Sequence, residues 1–146
     1  MGRYFSTNTG RGGKFGFACQ SSADPHEYFD MHEEEPVEIT YYADNDDVGN
    51  IKAKLDKIYD QANVPTNERI YELDGSDDEY QDFHNRYHKY FFERCESGEG
   101  NFAGENGTTE REVFEKAHLG QSRLWLGLVI LSDIKDEGYC SLDAEL

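Results

Sequence analysis

Apolar residues recur at every second position near the start of the chain. Phe15, Phe17 and Cys19 share one face of the run 14–20, and a shorter strand-like run at 3–6 precedes it. A period of two marks a half-buried strand. The stretch between the runs, Asn8-Thr9-Gly10-Arg11-Gly12-Gly13, is rich in turn formers, so the pattern predicts a β-hairpin with a glycine-rich loop. Alternation returns at 36–42, where Val37, Ile39 and Tyr41 point one way and predict a third strand. The intervening segment is polar and acidic, with a helical turn expected after Pro25.

The period then changes. Val48, Ile51, Leu55, Ile58, Tyr59 and Ala62 fall three and four apart, the spacing of an amphipathic helix, which Pro65 ends. Tyr80, Phe83, Tyr87, Tyr90 and Phe91 form the stripe of a second helix over 77–95. Acids open both helices and Arg94 lies near the end of the second, the order the helix macrodipole favours. Residues 70–73 fit a short strand and a turn of helix equally. Thr109 with Glu112 reads as a capping box for a third helix that runs to about His118, with Gly120 as its stop. Ser122 then caps a fourth helix, which ends at Gly138, a residue suited to the left-handed position after a helix. Residues 124–131 are apolar nearly all round. They predict either the central helix of the core or half of a seam between copies of the chain. Residues 139–142 offer a last strand that can join the N-terminal sheet.

The predicted fold class is therefore α+β. A small antiparallel sheet, built from the hairpin, the third strand and the C-terminal strand, is packed by three or four helices. A length of 146 residues suits one globular domain over 1–146. Aromatics make up 14% of the chain, too many for an acidic disordered tail.

Charge moves the question from fold to partner. The chain holds 31 acids against 14 Lys and Arg, a formal net charge of -17. The bias is uneven: residues 1–20 carry Arg3, Arg11 and Lys14 and no acid, whereas 21–50 carry ten acids and no base. A field of this strength selects partners before contact. The candidate partner-binding face comprises Glu33, Glu34, Glu35, Asp44, Asp46 and Asp47, and it suits a basic protein. Nucleic-acid mimicry, in which the acids occupy the partner's nucleic-acid surface, is one form of this. Direct nucleic-acid binding is disfavoured, because phosphate contacts need clustered bases.

Candidate chemistry is sparse. Calcium loops started at Asp44 or Asp74 fail, because the twelfth position holds Leu55 or Asn85 instead of Glu. Helix caps and a solvated face account for these acids. His84 and His88 stand four apart on the second helix, close enough for one metal, and a metal-dependent enzyme is the alternative function they support. Histidines at the margin of a core are the plainer reading. The glycine loop lacks the spacing of a phosphate-binding loop and precedes a strand instead of a helix. No nucleophile motif is present, and no cofactor is expected. Three cysteines without a CxxC pair, no apolar leader, and no apolar run near the ~20 residues of a bilayer span predict a cytoplasmic protein without a membrane. A subunit that self-associates through the Trp125 helix is the third functional class.

Overall fold

The computed structural model describes residues 4–16, 20, 22–33, 40–93 and 110–144. Strands β1 (Tyr4–Thr7) and β2 (Gly12–Lys14) form the predicted hairpin, with Tyr4 opposite Lys14 and Phe5 opposite Gly13. A short helix α1 (Asp24–Glu27) carries Pro25 in its first turn, where a missing N–H costs nothing. Strand β3 (His32–Glu33) pairs with β4 (Thr40–Asp44). Helix α2 (Val48–Gln61) follows a 3-10 turn at Asn45–Asp47. Helix α3 (Glu79–His88) continues as a π-helical turn at Lys89–Glu93. The long helix α4 (Glu110–Glu137) leads into β5 (Tyr139–Ala144).

The fold is α+β, as predicted, with a five-stranded antiparallel sheet in the order β2-β1-β5-β4-β3. The last strand lies at the centre of that sheet, between β1 and β4. Cys140, Leu142 and Ala144 are buried while Tyr139 and Asp143 are exposed, the alternation of a sheet covered on one face. Helix α4 covers that face and packs in turn against α2 and the π-helical turn.

Two boundaries differ from those the sequence predicts. Gly120 does not stop a helix and Ser122 does not cap one; both lie inside α4. A helix-interior glycine costs only about 1 kcal/mol, and Gly120 is buried, so packing on this face outweighs propensity. Gly127, on the same helix, has a steric role. A Cβ there would sit 2.5 Å from Leu55 Cδ2 and 2.8 Å from Phe29 Cε1, so only glycine lets α2 and the Phe29 ring approach so closely. Residues 70–73 are neither strand nor helix. They are held by side chains instead. The Tyr59 hydroxyl donates to Ile70 O (2.6 Å), Ile70 N to the Tyr87 hydroxyl (3.2 Å), and Leu73 N to Ser132 Oγ (2.7 Å).

Elsewhere the predicted elements stand with shifted bounds, and the last strand runs on to Ala144. Strand β2 ends at Lys14, although Phe15 is buried as its alternation required. Tyr41 and Ala43 of β4 face the core, while Val37 and Ile39 lie outside the described residues, as do Phe17, Cys19, Cys95 and Thr109. Gly138 takes φ +83 just after α4, and its N–H bonds Ile134 O at 2.7 Å, the predicted left-handed helix end. Residues 124–131 are all buried, Gly127 among them. The surface that suggested a seam between copies is thus enclosed within one chain. No helix among the described residues is long and apolar enough to cross a membrane.

Candidate functional site

The acids singled out in the sequence fall into two groups. Asp44 and Asp47 close a reciprocal capping box around the 3-10 turn: Asp46 N donates to Asp44 Oδ1 (3.0 Å) and Asp44 N to Asp47 Oδ2 (2.9 Å). Such a cap contributes about 1 kcal/mol. The two therefore help to shape the turn, while Glu33 and Asp46 are exposed. Asp47 also reaches His32 Nε2 at 3.3 Å. This places the edge strand β3, which carries Glu33, beside the turn. Glu34 and Glu35 lie outside the described residues.

The structure adds acids that the local reading of 21–50 missed. Asp44 is paired with Tyr139, and Asn45 Nδ2 donates to Gly138 O at 3.5 Å, so the turn abuts the C-terminal end of α4 with Asp136 and Glu137. Asp136 Oδ2 accepts from Arg11 Nη1 at 2.9 Å, and Arg11 Nε stands 3.4 Å from Glu79 Oε1. Glu79 opens α3, directly after exposed Asp77 and Asp78. Four segments far apart in sequence thus bring Glu33, Asp46, Asp77, Asp78, Asp136 and Glu137 to one end of the molecule. Nearby Asp74 is held below the usual carboxylate range, chiefly by the N–H of Ser76.

Arg11, at the tip of the hairpin, is the hub of this end. Its Nη1 also donates to Asp133 Oδ1 at 3.0 Å, and the Thr9 hydroxyl binds the same carboxylate, which is fully buried. Burial pulls the guanidinium pKa down, but hydrogen bonds to Asp133 and Asp136 outweigh it and hold Arg11 above its ordinary value. The one base of the glycine-rich loop is therefore engaged by carboxylates. That is the physical reason the loop is a hairpin clasp and not a phosphate cradle. Other arginines are engaged likewise. Arg123 makes a fork to buried Asp24 (3.0–3.2 Å) and stacks on Tyr28, and Arg69 pairs with Asp60 at 2.7 Å.

His84 and His88 are brought together as their spacing predicted, with ring centroids 4.5 Å apart and nearly parallel. Both are half-buried beside Phe83 and Tyr87. No group of three or more His, Cys, Asp or Glu able to hold a metal occurs among the described residues. Two imidazoles alone leave a zinc ion short of the three or four protein ligands it takes.

Cys140 is buried against Asp133, its Sγ 3.8 Å from Oδ2. Burial first, and then the Asp133 charge, push the thiol far above its usual value. An unfolded thiol loses its proton near pH 8.5, whereas the folded one keeps it. The unfolded chain gains as pH rises through that value, so the fold loses stability towards alkaline pH. Urea denaturation of Cys140→Ala should show a flatter decline between about pH 8 and 10 than the parent. An identical decline in both proteins contradicts this account.

Comparison of the chain with protein-family models, with the curated proteins and with the solved structures found no match.

Proposed function

We propose that this protein is a non-enzymatic acidic interaction protein that docks on a basic partner. The observation that carries the reading is the convergence of exposed acids at one end: Glu33, Asp46, Asp77, Asp78, Asp136 and Glu137 come from four segments, while Arg11 is neutralised by Asp133, Asp136 and Glu79, and Lys135 pairs with Glu72. The internal ion pairs leave the excess of a -17 chain on its surface. Uncompensated charge of this kind speeds encounter with an opposite surface and sets orientation. A nucleic-acid-binding surface on the partner is the form of basic surface such an end fits, by imitation of a phosphate array.

The test is a pull-down from cell extract at low and high salt with the wild type and with Asp46→Lys/Glu137→Lys. Exposed charges are screened over about 8 Å at physiological ionic strength. Basic proteins retained at low salt should be released at high salt, and the reversed variant should not retain them. Retention that ignores both salt and reversal contradicts the proposal. A control, Glu27→Lys/Asp143→Lys, makes the same change of net charge away from this end and should retain the partner.

A further inference from the structure

A cleft walled by aromatic side chains is free, among the described residues, of the acids that dominate the chain. It has a volume of about 340 Å³ and lies between the edge strand β2 and helices α3 and α4. Its size falls at the lower end of ligand pockets, roughly 300–1,000 Å³. In a chain with 31 acids, no Asp or Glu among the described residues lines it. Its basic side chains are Lys14 and His118. Lys14 makes no ion pair among the described residues and lies over the Tyr4 ring at 6.0 Å. Burial, and then the charge of Lys14, hold His118 below the usual histidine range.

The walls are aromatic and fixed. Trp125 donates its indole N–H to Gly12 O at 3.1 Å, and Tyr80 stands edge-on to it with centroids 4.8 Å apart. A Cβ on Gly13 would sit 2.6 Å from the indole nitrogen, so glycine is what lets the strand lie against the ring. Among the described residues the exposed large hydrophobic side chains are Tyr4, Tyr80 and Tyr139, and the first two line this cleft. Gln121, also on its wall, is 8% exposed, and its Oε1 has no hydrogen-bond partner among the described residues. A buried acceptor left without a donor is costly.

We infer that this cleft binds a free small molecule that combines a planar ring with an anionic group. The ring lies against the Tyr80–Trp125 wall, and a carboxylate or phosphate meets Lys14. Stacking on aromatic side chains tolerates many rings, whereas the charge selects among them. The inference is independent of the acidic end, which is built from other residues.

Trp125 is the only tryptophan, so its fluorescence reports on the cleft directly. The full chain is titrated with adenosine monophosphate, with adenosine and inorganic phosphate as separate controls. Saturable quenching by the monophosphate is expected, with each control at least about tenfold weaker, since one charge-assisted hydrogen bond is worth a factor of that order. Lys14→Gln, an exposed position, should weaken the monophosphate by about tenfold, and Lys52→Gln on α2 should leave it unchanged. The inference is overturned by no saturable change up to about 10 mM, by equal binding of adenosine and its monophosphate, or by Lys14→Gln binding like the wild type.

Discussion

Trp125→Glu is expected to unfold the protein and not to yield a folded monomer. The indole is 5% exposed and packs against Phe83 (5.2 Å between centroids) and Tyr80, with its N–H bonded to β2. Truncating a buried Trp costs about 3–5 kcal/mol, and an unpaired carboxylate in apolar surroundings adds several more. The sum reaches the ~5–15 kcal/mol by which domains are stable at all. Leu128→Glu, at a residue with no exposure, should do the same. Loss of the near-ultraviolet circular dichroism of both variants is the measurement. A folded, monomeric Trp125→Glu obtained from an oligomeric wild type would restore the seam between copies as the role of α4.

Asp133→Ala is expected to cost about 3–5 kcal/mol, the range for removing one partner of a buried pair. Asp133 is fully buried, and its loss leaves the Arg11 guanidinium and the Thr9 hydroxyl without their main acceptor. Of the Arg11 ion pairs to α4, the one to exposed Asp136 would remain. With a urea slope of about 1–3 kcal/mol/M, the midpoint should fall by a molar or more. The double variant Arg11→Met/Asp133→Leu should recover most of the loss, since an apolar pair often replaces a buried ion pair at little cost. An Asp133→Ala midpoint equal to that of the wild type contradicts the clasp.

The elements legible in the sequence were those whose apolar period matches their burial. Ile51, Leu55, Ile58 and Tyr59 are buried along α2, and Phe83 and Tyr87 along α3, at the predicted spacings. Gly138 was legible because a helix end needs a left-handed residue. The continuity of α4 through Gly120 was not legible, because its cause is contact with other elements and not local propensity. The central place of β5 was hidden for the same reason, since a strand's neighbours are set by long-range pairing. Asp133 and Arg11 lie 122 residues apart, and no local pattern marks their union. Of the acidic face, Glu33, Asp44, Asp46 and Asp47 could be named from the charge run, but Asp136 and Glu137 join them only once β5 returns beside β4.

The central claim is that the converged acids dock a basic partner. The most direct measurement is the affinity of the wild type and of Asp46→Lys/Glu137→Lys for the captured basic protein, followed from about 50 to 500 mM salt, across which the screening length falls from above to below roughly 8 Å. The account predicts that the wild type binds more weakly with every rise in salt, and that the variant binds more weakly at low salt and with a shallower dependence. Equal affinities with equal salt dependence would contradict it.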